Sequence, residues 1–173
     1  MKLFKNLYQP VSANALGIFR IVFGALLLIH LFVFSKSADF KTFYVDTPFH
    51  FKFSLFSWVE PLPEWAMMSL HYLSIVFAIL LLIGFFYRIA AIGLFVILTY
   101  LELIDVSYHN NHNYVLILFL LFFAITNAHR SYSVDGKFKK LDSVIPRWHE
   151  GIFRFQIFVV YFFGGIAKLN EDW

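Results

Sequence analysis

Apolar runs of bilayer length recur along almost the whole chain, and nothing else in the sequence restricts its fold so tightly. Runs at 13–34, 65–86, 89–106 and 152–167 approach or reach the ~20 residues that a hydrocarbon core requires, and a shorter run covers 114–126. Inside lipid, each backbone polar group must be paired within the protein, so recurrent runs of this length mean helices. The expectation is therefore an all-α fold, a polytopic transmembrane helical bundle of about five spans. A water-soluble fold is excluded by charge. Charged residues are 14% of the chain, whereas soluble domains carry roughly 25%. A cleaved signal peptide does not fit the first run either. It exceeds the ~7–15 apolar residues of a signal core and contains Arg20.

Polar segments separate the runs. The loop 35–64 carries Lys36, Lys41, Lys52, Asp39, Asp46 and Glu60 and ends on EPLPEW. Its aromatic cluster (Phe49, Phe51, Phe53, Phe56 and Trp58) fits either the membrane surface or a packed loop. Tyr87 and Arg88 read as a tight turn between the second and third spans. The patch HNNHN covers 109–113, and the brevity of the run after it draws the patch toward the membrane. The stretch 127–151 is polar, and SVDGK within it (133–137) reads as a turn without phosphate-loop spacing.

Lys and Arg fall unevenly on the two sides. The N-terminus, Arg88 and the stretch 127–151 hold eight, against four on the other side, with Arg20 and Arg154 inside spans. Positive charge marks the cytoplasmic side. The N-terminus is thus expected inside and the C-terminal end outside. This topology brings HNNHN and the terminal KLNEDW to one face. The net charge of +3 is a topology signal and not a nucleic-acid footprint. The chain has no cysteine, which excludes disulfides, zinc–thiolate and iron–sulfur sites and a cysteine nucleophile.

Three groups could carry chemistry. Lys168 closes a helical face with Arg154, Phe158, Tyr161 and Gly165, and Gly164 and Gly165 invite close backbone approach. An amine there, partly desolvated, would be a base; the bland alternative is a snorkelling anchor. His112, with Asn110 and Asn111, forms a polar cluster at an expensive depth. His109 and His112 alone make too few ligands for a metal site, so no metal is expected. Arg20, flanked by Gly17 and Gly24 at helical spacing, and Glu102 and Asp105 are ionisable groups in or near spans. They are either functional or structurally paired.

The ordered strings FRIVFG (19–24), PLPEWAM (61–67), YRIA (87–90), NNHNY (110–114), NAHRSYSVDG (127–136) and RFQIFVVYFFGGIAKLNEDW (154–173) carry a resemblance. The chain resembles the membrane part of the vitamin K-dependent γ-glutamyl carboxylases and their bacterial relatives, the HTTM (horizontally transferred transmembrane) domain, over essentially its whole length. The resemblance implies carboxylation of a protein-bound glutamate with CO2, driven by O2-dependent epoxidation of reduced vitamin K or a related hydroquinone. It implies Lys168 as the base, His112 as a hydrogen-bonding or proton-handling partner, and Asn111 as its orienter. Asn110, Arg20, Tyr161 and Asp172 would be supporting residues. The partners implied are the lipid bilayer and a glutamate-containing protein or peptide.

Two departures stand out. Family members continue past KLxxDW into more membrane segments and a soluble domain, so residues 1–173 are expected to be the N-terminal part of a longer protein. The family string often carries two adjacent lysines, and here Ala167 precedes Lys168. The competing expectations are a non-catalytic quinone- or lipid-binding domain and a transporter. The latter would favour inverted halves, which the sequence lacks.

Overall fold

A computed structural model describes residues 6–36 and 39–169. The expected all-α bundle is present. Its five apolar helices are α1 (Asn14–Lys36), α2 (Glu64–Ile83), α3 (Tyr87–Ile104), α4 (Asn111–Ile125) and α5 (Trp148–Ala167). Four of them are long and apolar enough to cross a membrane, and α4 is the short one. At 1.5 Å per residue its 15 residues span about 22 Å, less than the ~30 Å hydrocarbon core. α1 packs on α2, α2 on α3 and α3 on α4, while α5 touches α1 and α4.

The helices are apolar nearly all round, and their lateral faces remain uncovered. On α1, Ile18, Val22, Leu26, Ile29 and Val33 are exposed at spacings of three and four, whereas Leu16, Arg20, Leu27 and Leu31 are buried on the opposite side. This pattern suits lipid on one face and protein on the other. The core of the bundle is aromatic. Phe153 of α5 meets Phe19, Phe119, Phe122 and Phe123 with ring centroids 4.9–5.7 Å apart, the range in which edge and offset contacts are favourable.

Chain reversals follow local chemistry. The turn expected at Tyr87 and Arg88 lies earlier, at Gly84–Phe86. Gly84 takes the left-handed conformation (φ 69°), and the Phe85 N–H returns to the Leu80 carbonyl, so α2 ends where glycine makes ending cheap. Tyr87 and Arg88 instead form the first turn of α3. The NNH patch forms the first turn of α4, with Asn110 as its cap. SVDGK is likewise not a plain turn: the Ser133 hydroxyl accepts the Gly136 N–H (2.8 Å) and caps a short helix, Val134–Phe138. α5 starts at Trp148, earlier than the expected 152. A two-stranded antiparallel ribbon, β1 (Pro10–Ser12) with β2 (Val144–Pro146), joins the entry of α1 to that of α5.

The bundle has two ends. The near end holds the start of α1, the α2–α3 turn, the end of α4 and the start of α5. The far end holds the end of α1, the loop to α2, the end of α3 and the start of α4.

Candidate functional site

A cavity of about 250 Å³ opens at the far end. α1 contributes His30, Leu31 and Phe34, and the turn of helix after it (residues 39–46) contributes Phe40, Phe43 and Tyr44. His71 comes from α2, Leu98, Leu101 and Glu102 from α3, and Asn110, Asn113, Leu116 and Ile117 from the start of α4. The walls are aromatic and aliphatic, with a few convergent polar groups, as small-molecule sites are built. The volume lies just below the ~300–1,000 Å³ of drug-sized sites and suits one or two fused rings.

The polar groups are held in place. His71 is buried, pairs through Nε2 with the Ser35 hydroxyl, and lies 4.4 Å from the Phe40 ring centroid. His30 stacks on Phe34 at 6.3 Å. The Asn110 side-chain oxygen accepts the His112 N–H at 2.8 Å and sits 2.8 Å from His112 Nδ1, so the cap of α4 also fixes the imidazole. Glu102 Oε1 lies 2.6 Å from His109 Nδ1. Just outside the cavity, His50 Nδ1 lies 3.1 Å from Asp105 Oδ2, with both side chains buried. Burial opposes ionisation of Asp105. The Ser107 N–H and hydroxyl and His50 more than offset it, so this carboxyl lies below the usual range.

The near end is a clamp. Arg20, fully buried, donates from Nη1 to the Leu81 and Leu82 carbonyls (2.8 and 3.1 Å) and from Nη2 to the Tyr132 carbonyl (2.7 Å). It thereby fills the orphan carbonyls at the end of α2, where the helix dipole also favours a cation. Asp135 accepts the Tyr87 N–H (3.0 Å) and the Tyr87 hydroxyl donates to the Phe123 carbonyl (2.6 Å). The close-packing face expected around Arg20 is present: a Cβ on Gly17 would stand 2.8 Å from the Ser131 oxygen, and one on Gly24 would stand 2.9 Å from Leu82 Cα. The strings FRIVFG, YRIA and NAHRSYSVDG therefore converge on one structural joint.

The sequence-derived site residues divide accordingly. Asn110 and His112 are joined at the far end; they and Asn111 are exposed, and of the three Asn110 lines the cavity. Arg20 sits at the opposite end. Tyr161 stands on the exposed second half of α5 and Lys168 caps its end, also exposed, and nothing lies within 4 Å of a Cβ built on Gly164 or Gly165. Lys168 does not line the cavity, and Asp172 lies outside the described residues. Sequence reasoning missed His30 and His71, and held Asn113 only as part of the HNNHN patch. The two histidines were detectable as ionisable residues inside apolar spans, which are functional candidates by default.

Among comparisons with known proteins, the model of the HTTM domain matches residues 8–173. No solved structure matches the chain.

Proposed function

The chain belongs to the HTTM domain family, and from that premise we propose that it is a membrane domain that binds a lipophilic ring compound in the far-end cavity. The observation that carries this reading is the union, in one ring-sized space, of aromatic walls with Asn110 of the NNH string. Flat rings gain from offset and edge contacts with Phe34, Phe40 and Phe43, while Asn110, Asn113 and His71 offer hydrogen bonds to ring oxygens.

The resemblance to the vitamin K-dependent carboxylases narrows the ring to reduced vitamin K or a related hydroquinone. The aromatic and amide lining fits such a group. When bound, it would supply with O2 the strong base needed to remove a glutamate γ-proton before CO2 is added. Lys168 would take the ring hydroxyl proton, His112 would hold a hydrogen bond to the reacting oxygen, and Asn110 would keep that imidazole in place. Such chemistry needs a dry site. Lys168 is exposed, so this role requires the second half of α5 to close over the cavity mouth.

That exposure favours a second reading, in which the domain binds the ring without turning it over. The test is the chain in lipid nanodiscs with a naphthohydroquinone. Both readings expect saturable binding weakened by Asn110→Ala and Phe40→Ala. The enzymatic reading further expects epoxide formation that Lys168→Met abolishes. Absence of binding sinks both. Binding without epoxide selects the second, and epoxidation undiminished in Lys168→Met removes lysine as the base.

A further inference from the structure

Two histidine–carboxylate pairs flank the far end, and they are built differently. His50 and Asp105 are both buried (6% and 3% side-chain exposure), and Asp105 is also occupied in accepting the Ser107 N–H at 2.8 Å. That pair ties the loop to the end of α3. In the other pair, Glu102 is largely sheltered (14%) and lines the cavity, whereas its partner His109 is 39% exposed. The pair thus spans the boundary between the cavity and the outside.

We propose that Glu102 and His109 carry protons between the far-end cavity and the water outside it. The proposal rests on the reading that the cavity receives a ring with an ionisable hydroxyl. A carboxylate at the end of a span is costly unless paired, and a proton-handling group is among the uses for which one is kept. Imidazole is suited to the outer position because it accepts a proton at one nitrogen and releases one from the other. The steps balance. A ring hydroxyl facing Glu102, distinct from the one that Lys168 would serve in the enzymatic reading, gives its proton to the Glu102 carboxylate and becomes an anion. The carboxylic acid passes a proton to Nδ1 of neutral His109. The imidazolium releases its Nε2 proton to water, and Glu102 is left ionised.

The other titratable groups facing the cavity are His30 from α1, Tyr44 from the turn after it and His71 from α2. His71 is buried and bonded to Ser35. His30 is exposed between the apolar positions Ile29 and Val33 on the face of α1 that suits lipid. Neither offers an exit to water. His109 does, and the Phe53 ring stands edge-on to it at 6.1 Å, fixing the imidazole from the loop side.

The test loads the full chain, in nanodiscs, with a lipophilic nitronaphthol whose hydroxyl and anion absorb at different wavelengths. After an upward pH jump, the bound probe should ionise rapidly in the native protein. Measured on probe-saturated protein, the rate should fall about a hundredfold in Glu102→Gln and in His109→Ala, the scale of a lost general base. Glu102→Asp should recover much of the rate, and added imidazole should restore it in His109→Ala. Native rates in both variants, a deficit in His109→Ala that imidazole does not repair, or a deficit found only in His30→Phe would each overturn the proposal. Should the native chain not bind the probe, the ring-binding reading falls, and the relay is then decided on the ligand-free chain. There, the titration of isotope-labelled His109 followed by NMR must change in Glu102→Gln; an unchanged curve overturns the relay.

Discussion

Alanine at Gly84 tests the near-end clamp directly. Two terms act. Gly84 has φ 69°, and a left-handed backbone costs an L residue about 1–2 kcal/mol. The added Cβ would stand 2.2 Å from Arg20 Nη1 and 2.4 Å from Ser133 Cβ. The guanidinium must then shift and give up at least one bond to a carbonyl, and hydrogen bonds to charged groups are worth about 1.5–3 kcal/mol. The sum is about 3–5 kcal/mol. For a chain of this size each kcal/mol lowers Tm by about 2–4 °C, so Gly84→Ala should melt roughly 10 °C below the native protein in detergent. Gly151→Ala is the control: its Cβ meets nothing within 4 Å, and alanine favours the helix by about 1 kcal/mol, so Tm should hold or rise. When Gly84→Ala is introduced together with Arg20→Met, the guanidinium term vanishes, while the backbone term and the contact with Ser133 Cβ remain. A Gly84→Ala protein that melts with the native one, or a cost undiminished in the presence of Arg20→Met, would refute the reasoning.

Three further outcomes are expected. Phe153→Ala should cost about 3–5 kcal/mol and release α5, because this ring joins that helix to Phe19, Phe119, Phe122 and Phe123; faster proteolysis after Trp148 would report it. Tyr87→Phe removes the donor to the buried Phe123 carbonyl and should lower stability by about 1–3 kcal/mol, read as a Tm shift. His129 sets a pH dependence. Burial holds its imidazole down at about 4, with Asp135 pulling up and Arg88, Lys139 and Arg130 pushing further down. The unfolded chain takes up this proton near pH 6.5, so stability is full above about 6.5, falls as pH drops, and levels off below about 4. Partial exposure limits the loss to about 1–2 kcal/mol. A Tm profile unaltered by His129→Phe would contradict it.

The number of apolar helices was legible because hydrophobic length is a one-dimensional property. Their ends were not, because ends depend on single residues. Gly84 stops α2 three residues before the apolar run does, and Asn110 and Ser133 start helices inside strings that read as loops. Arg20 between two glycines announced a close-packed face, but its partners, the Leu81, Leu82 and Tyr132 carbonyls, carry no side-chain signature. The NNH string lies at the end of the bundle that holds the cavity. The histidines of α1 and α2 that share that cavity were hidden among leucines, and only the antiparallel packing assembles them.

The ribbon between β1 and β2 sets a timetable for the chain during synthesis. The first helix enters the bilayer early, yet Val11 pairs with Ile145, and Asn14 accepts a hydrogen bond from Ser131. Its resting place is therefore completed by residues made more than a hundred positions later, and the loop closed is long. Nascent chains halted after α4 should hold the first helix loosely and expose it to insertion-machinery crosslinkers. Chains extended past Arg147 should lock it, since the Arg147 N–H closes on the Gln9 carbonyl at 3.0 Å.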